Sequence, residues 1–142
     1  TPGESAKKAT SPMQGMSLAV VGAHLSGQPL NHQLTSLGAT LVRACKTAPE
    51  YRLYALQGTV PPKPGLERVL TGGVAIEVEV WQLTPEAFGR FMQGVPSPLV
   101  IGTLVLDDGQ SVHGFLCEPF ALGAATDISQ YGGWRAYLAA GK

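Results

Sequence analysis

The sequence predicts an α+β domain: a small twisted or barrel-like mixed sheet carrying two or three helices. Three observations predict it. Segments of strand length outnumber helical ones, two pairs of strands are hairpin-like, and the helical segments lack the strict alternation of a doubly wound sheet.

Taken in order, residues 1–15 are rich in Pro, Gly, Ser, Thr and Lys with one large apolar side chain, Met13, and read as a disordered linker or cloning remnant ahead of a domain spanning 16–142. Leu18-Ala19-Val20-Val21 is a short apolar run stopped by Gly22, as in a buried strand. Leu30, Leu34 and Leu37 recur at helical spacing, which predicts a helix over 28–37 closed by Gly38. Strands follow over 41–45 and 51–56, separated by Pro49, with Tyr51 and Tyr54 on opposite faces. Three prolines bar 58–65 from any central strand, so that segment is expected to be an extended loop. Alternation is clearest over 74–81, where Val74, Ile76, Val78 and Val80 oppose Ala75, Glu77, Glu79 and Trp81. Thr84 suits an N-cap, Pro85 the first helical position, and Leu83 a staple against Phe88; that helix should end near Gly94. Asp107-Asp108-Gly109-Gln110 is a hairpin turn between strands 101–106 and 111–117, and 131–138 reads as a short aromatic-bearing helix.

Composition narrows the function. With 44% hydrophobic and 14% charged residues, a 142-residue chain can close one real core. Ten basic residues balance ten acidic ones, and apart from Lys7-Lys8 the basic residues are scattered, which leaves no electrostatic footprint for nucleic acid or for anionic membranes. No run approaches the length of a spanning segment, and no signal peptide is expected from the order of residues at the N-terminus. Cys45 and Cys117 sit inside apolar strands, as small buried residues do in a reduced, cytoplasmic protein, although a single long-range disulfide is compatible with the spacing. No Cys-x-x-Cys, His-x-x-x-His, phosphate-binding loop or Gly-x-Ser-x-Gly elbow occurs, so no metal or cofactor is expected.

The chemistry that remains centres on Gly22-Ala23-His24-Leu25. Small residues after a buried strand let successive backbone N–H groups face an anion, and a histidine beside them transfers protons near neutral pH. The same residues also suit a tight turn with a surface histidine. Glu77 and Glu79 share a strand face, roughly 6.5–7 Å apart, which suits either an acid/base pair or an ordinary solvated face. Arg43, Arg52 and Lys63 are single charges beside apolar segments: counter-charges for a small dianion, or snorkelling surface groups. His32 and His113 are read as structural.

Val20-Val21-Gly22-Ala23-His24-Leu25-Ser26-Gly27-Gln28-Pro29-Leu30-Asn31, then Thr47-Ala48-Pro49-Glu50-Tyr51-Arg52-Leu53-Tyr54, Pro62-Lys63-Pro64-Gly65-Leu66, Ile76-Glu77-Val78-Glu79-Val80-Trp81 and Gly114-Phe115-Leu116-Cys117-Glu118 together resemble the C-terminal domain of allophanate hydrolases. The resemblance runs in order from Leu18 to Ala140. It implies a γ-glutamyl cyclotransferase-like fold and a role in urea, allophanate or cyanuric acid breakdown, in which an N-terminal amidase-signature domain releases N-carboxycarbamate and this domain decarboxylates it. The amidase is expected to be absent from a chain of this length. Cyclotransferases carry a Tyr-Gly-Ser-Asn-Leu-like turn after the first strand; here only Gly22 and Leu25 match it, and 87–106 contains no acid to serve as their catalytic glutamate. Cyclotransferase activity is therefore not expected, since only Glu77 or Glu79 could replace that base.

The resemblance makes His24 the expected proton-transfer residue, with Gly22, Ala23 and Leu25 holding one carboxylate. Tyr51, Arg43, Lys63 and Glu79 are candidates for the rest of a small carboxylate substrate. The expected partners are the amidase domain of the same chain, a second copy in a homodimer, and other enzymes of the pathway. A non-catalytic dimerisation or assembly module is the competing expectation.

Overall fold

Glycine and proline placement explains where the strands break, and the apolar runs explain which of them are central. The computed structural model describes residues 15–141, so the predicted linker lies outside the described residues except for Gly15. Its strands are β1 (Met16–Val20), β2 (Thr40–Lys46), β3 (Tyr51–Ala55), β4 (Pro64–Arg68), β5 (Glu77–Leu83), β6 (Leu99–Val105), β7 (Ser111–Cys117) and β8 (Thr126–Asp127). Its helices are α1 (His32–Thr35), α2 (Pro85–Gln93) and α3 (Trp134–Ala139), with two 3-10 turns at Pro119–Ala121 and Ser129–Tyr131.

The run Leu18-Ala19-Val20 makes β1 the middle strand of a five-stranded sheet ordered β2-β5-β1-β7-β6, and these three residues are buried. β1 runs antiparallel to β5 and parallel to β7, which makes the sheet mixed. A second sheet, β4-β3-β8, packs beside it. The free edges of the larger sheet curl towards each other: Thr47 bridges Leu106, the Ala48 N–H donates to the Val105 carbonyl at 2.9 Å, and the Asp107 N–H donates to the Lys46 carbonyl at 2.9 Å. That closing corner gives the sheet its barrel-like form, and the expected α+β class stands.

Tyr51 locks the two sheets together. Fully buried, it bridges Val74 through the backbone, and its hydroxyl accepts the Val105 N–H at 2.9 Å. Tyr54, on the opposite face as alternation requires, is half-buried and donates to Glu67 at 3.3 Å.

Four local expectations need correction. The helix expected over 28–37 is only α1, four residues long. Before it come successive tight turns, Leu25 to Gly22, Gln28 to Leu25 and Asn31 to Gln28, and the Leu30 N–H bonds back to the Ala23 carbonyl, a pattern that differs from the i to i−4 bonds of a continuous helix. Gly38 does close the segment, at φ 81°. The second difference is β4, which the proline-rich loop concealed. Pro64 opens that strand at the edge of its sheet, where a missing N–H costs nothing. Third, β5 is shifted towards the C-terminus relative to 74–81, because Ile76 and Val74 serve the closing corner and the second sheet instead. Fourth, the C-terminal helix begins at Trp134, after Gly132 turns the chain at φ 75°.

The α2 start behaves as its residues dictate: the Thr84 hydroxyl accepts the Ala87 N–H at 3.1 Å, Pro85 stands at the first helical position, and Leu83 and Phe88 are both buried. Cys45 and Cys117 are free thiols, and burial raises the pKa of each. Among the described residues no helix is long and apolar enough to cross a membrane.

The closing corner is testable at one side chain. The fully buried Thr47 hydroxyl donates to the Ala48 carbonyl at 2.8 Å and accepts the Ile76 N–H at 3.0 Å. Thr47→Val keeps the volume but leaves that amide unpaired. The expected cost is about 1–3 kcal/mol, measured as a lower midpoint in urea with an unchanged slope.

Candidate active site

The turn that leaves β1 is built around a buried imidazole. His24 is only 7% exposed. Its ring stacks on Phe115 from β7 (centroids 5.1 Å, planes at 12°) and meets the edge of Phe91 from α2 at the same separation and 72°. Two aromatic faces therefore fix the plane of the ring. The 24–33 segment then wraps back on itself. The Leu30 N–H donates to the Ala23 carbonyl at 2.9 Å, the Asn31 side-chain amide donates to the His24 carbonyl at 2.9 Å, and Gln33 Oε1 lies 2.8 Å from His24 Nε2.

Burial is the main cause that lowers the His24 pKa from its ordinary value of 6.5; Gln33 opposes it, while Lys63 and His32 add small lowering contributions. The imidazole is therefore neutral at pH 7. With Gln33 Oε1 as acceptor, Nε2 carries the proton and Nδ1 presents its lone pair. No described residue bonds Nδ1, and no buried side-chain nitrogen or oxygen lacks a partner, so Nδ1 reaches accessible space.

That space is a small cavity of about 20 Å³ lined by Gly22, Ala23, His24, Lys63, Pro64 and Phe115, with Val21 and Leu99 behind them. It is large enough for about one water molecule. The Leu25 N–H is used within the turn, donating to the Gly22 carbonyl at 3.0 Å, whereas those of Gly22, Ala23 and His24 donate to no acceptor among the described residues. Gly22 is required here because a β-carbon would fall 2.2 Å from Pro64 Cδ. Lys63 and Leu99 also border a wider cleft of about 210 Å³ between the 56–60 and 96–98 loops, which therefore adjoins the cavity. A larger surface groove of about 400 Å³ beside Ser17, Thr103 and His113 holds no buried titratable group, and we assign it no chemistry.

Of the residues singled out in the sequence, Gly22, Ala23, His24 and Lys63 converge on the cavity; Leu25 is buried beneath it and does not line it. Arg43, Tyr51 and Glu79 do not line it. Arg43 pairs with Asp108 at 3.1 Å across the hairpin turn, and its guanidinium also reaches Gln110. Tyr51 joins the sheets, as described. Arg52 pairs with Asp127 at 2.7 Å and donates to the Gly72 carbonyl. His32 and His113 are exposed, His113 lying edge-on to Phe88.

Glu79 belongs to neither role considered for it. Its carboxylate is 3% exposed as a residue, not on a solvated face, and it accepts the Ser26 N–H (2.8 Å), the Ser26 hydroxyl (2.6 Å), the Arg135 guanidinium (2.8 Å) and the Trp81 indole N–H (3.1 Å). Desolvation by burial pushes this carboxyl up, but the bonds from Ser26, Arg135 and Trp81 together outweigh it and hold the group ionised below its ordinary value of 4.5. Arg135 Nη2 in turn donates to the Ser26 carbonyl at 2.6 Å and its hydroxyl at 2.9 Å. This clamp fixes the turn two residues beyond His24. Glu77 lies at the start of β5 under Gly133.

Sequence reasoning missed Gln33, Phe91, Phe115 and Arg135. Only the spacing of nine between His24 and Gln33 is local enough to have been a signal. The other three depend on the tertiary fold.

A buried central strand, the tight turn that leaves it and a curled mixed sheet define the class: this is a γ-glutamyl cyclotransferase-like α+β domain, and a solved γ-glutamyl cyclotransferase shares the fold alone, at TM-score 0.54 and 12% identity over 80% of this chain and 70% of that one. Residues 16–139 match the allophanate hydrolase C-terminal domain. The chain is 45% identical over 132 residues to a urea amidolyase of Lachancea kluyveri, covering 90% of this chain and 7% of that protein. It superposes on the allophanate hydrolase of Kluyveromyces lactis with TM-score 0.86 at 42% identity, covering 90% of this chain and 22% of that one. A protein specific to uropathogenic E. coli, c4763, superposes with TM-score 0.83 at 34% identity over 89% of this chain and 98% of its own. The chain belongs to the allophanate hydrolase C-terminal domain family.

The clamp predicts a pH signature. Because the folded pKa of Glu79 lies below its unfolded value, its contribution is present above about pH 4.5 and is lost as pH falls through the folded pKa. Arg135→Ala removes one charged donor whose side chain is 34% exposed, so solvent screening limits the loss to about 1–2 kcal/mol at neutral pH. The variant should also lose stability less steeply on acidification than the parent, as followed by urea unfolding at pH 7 and pH 4.

Proposed function

We propose that the domain decarboxylates N-carboxycarbamate at the Gly22–His24 turn, as one step in the breakdown of allophanate derived from urea. The observation that carries this reading is a neutral, ring-fixed histidine beside one lysine and three backbone N–H groups that have no acceptor among the described residues. Family membership supports a substrate drawn from allophanate breakdown. The chain spans 7% of the urea amidolyases it matches, so the whole enzyme's activity, an amidase domain working with it, and a dimeric or larger assembly belong to the same proposal.

The chemistry follows from the charges. The substrate is a dianion with a carboxylate at each end of a central N–H. Backbone N–H groups of Gly22, Ala23 and His24 hold one carboxylate and Lys63 the other. The C–N bond to one carboxylate breaks, carbon dioxide leaves, and the electron pair returns to nitrogen. That nitrogen takes a proton, and the product is carbamate. His24 is neutral in the empty site, but a dianion beside it favours imidazolium. Substrate binding therefore loads the proton that the reaction consumes, a step that a permanently charged base would not provide.

Two measurements test this. The 142-residue chain should accelerate carbon dioxide release from N-carboxycarbamate generated by an allophanate-hydrolysing amidase, and His24→Ala should reduce the acceleration by about 10²–10⁴-fold. A parent chain that changes assembly with the amidase but not the rate of release would establish the non-catalytic module instead. Binding of malonate, a stable dianion, should take up protons from the buffer near neutral pH, read by calorimetry in buffers of different ionisation heat. His24→Ala should bind malonate without that uptake; undiminished uptake would remove His24 from the proton-transfer role.

A further inference from the structure

The histidine has two nitrogens, and the reaction proposed above leaves open which one moves the proton. We infer that Gln33 is a positioning residue that confines the fixed proton to His24 Nε2, so that Nδ1 is the atom that gains and gives up the mobile proton. The inference rests on the proposed proton-transfer role of His24, but the tautomer it assigns can be measured without any turnover.

Three features carry it. First, Gln33 Oε1 lies 2.8 Å from Nε2 and is the sole described polar partner of the ring. Second, the stack on Phe115 and the T-shaped contact with Phe91, both at 5.1 Å, hold the ring in one plane, and a half-turn that preserves that plane would put Cε1 where Nε2 stands and break the bond to Gln33. Those contacts set the plane, and the hydrogen bond then decides which nitrogen stands where. Third, Gln33 is itself exposed, yet its backbone is pinned on both sides: Asn31 holds the His24 carbonyl at 2.9 Å, and the fully buried Leu34 anchors α1. An exposed glutamine ordinarily keeps its rotamer freedom. Here α1 delivers it to the edge of a buried imidazole, which explains why so short a helix interrupts the loop.

The arrangement also separates two jobs. A histidine whose partner is a carboxylate is held as imidazolium over a wide pH range, whereas an amide fixes the tautomer without adding charge. Gln33 thus orients the ring and leaves it neutral until an anion arrives. A carboxylate at position 33 would supply the charge permanently and would repel the incoming dianion.

The test uses the uniformly ¹⁵N-labelled 142-residue chain and long-range ¹H–¹⁵N correlation of the imidazole ring. The parent should show the Nε2–H tautomer for His24 at pH 7. Gln33→Leu should lose that single tautomer and titrate at lower pH. Gln33→Glu should regain Nε2–H and titrate about one to three units higher than the parent, with weaker malonate binding. Position 33 is exposed, so unchanged amide spectra away from the turn are expected and verify folding. A parent in the Nδ1–H tautomer, or a Gln33→Leu spectrum identical to the parent's, overturns the assignment. If the tautomer follows Gln33 but the chain leaves carbon dioxide release unaccelerated, the positioning holds and the decarboxylase reading fails.

Discussion

The ion-paired carboxylate of Glu79 is the constraint on which the site depends. β5 lies between β2 and β1, so an acid on its second face is removed from water and must find donors inside the protein. Four donor contacts arrive, from Ser26, Arg135 and Trp81, three separate points of the chain. Satisfying the carboxylate therefore fixes the turn after β1 relative to the sheet and draws α3 onto it through Arg135. Apolar residues at position 79 could pack, but they would leave the Ser26 N–H and the Arg135 guanidinium without their acceptor. The stability of the pair is modest because Arg135 is partly solvated. Its value is geometric.

That fixed turn holds His24 buried beside the cavity. The clamp at Ser26 holds the chain from one side, and the Asn31 and Gln33 contacts hold it from the other. Between them the imidazole is pressed against Phe115 and Phe91, surroundings that disfavour its charged form. The sign matters for stability. As pH falls below about 6.5 the unfolded chain binds a proton there before the folded one does, so this site loses stability on acidification. Buried His24 and buried Glu79 thus act in the same direction on acidification, in successive pH ranges, although one is a base and the other an acid.

The sheet was legible because its strands carry period-two or continuous apolar patterns, and so were the cap at Thr84 and the turn at Gly109. What stayed hidden obeys tertiary causes. β4 begins with a proline, and only its edge position makes that harmless. The expected helix over 28–37 has the right leucine spacing, but the backward bonds from Leu30 and Asn31 hold the chain in turns until α1. In the candidate site, the Gly22–His24 turn stood out because small residues follow a buried strand with a histidine beside them, a pattern that also suits an ordinary tight turn. Glu79 was conspicuous for the wrong reason. Alternation placed it opposite the core valines, and nothing local shows that Ser26, 53 positions away, and Arg135, 56 positions away, would cover that face. Arg43 and Tyr51 were attractive as lone polar groups in apolar strands, and each instead closes a seam of the sheet.

The same geometry explains why a shared frame need not carry shared chemistry. A general base must exchange its proton with a ligand, and Glu79 cannot, because its oxygens accept from four donors and its pKa is held down by them. Glu77 sits at the start of β5 beneath Gly133 and outside the cavity. Among the described residues no carboxylate lines the cavity, and its ionisable side chains are those of His24 and Lys63. A site with one cation, backbone N–H groups and a neutral imidazole suits a ligand that brings negative charge at both ends and leaves with less of it. In the reaction we propose, the excess negative charge of the ligand would both attract Lys63 and favour protonation of His24. The proton that the nitrogen takes as neutral carbon dioxide departs lowers that charge, which would weaken both interactions and favour release of the product from the turn.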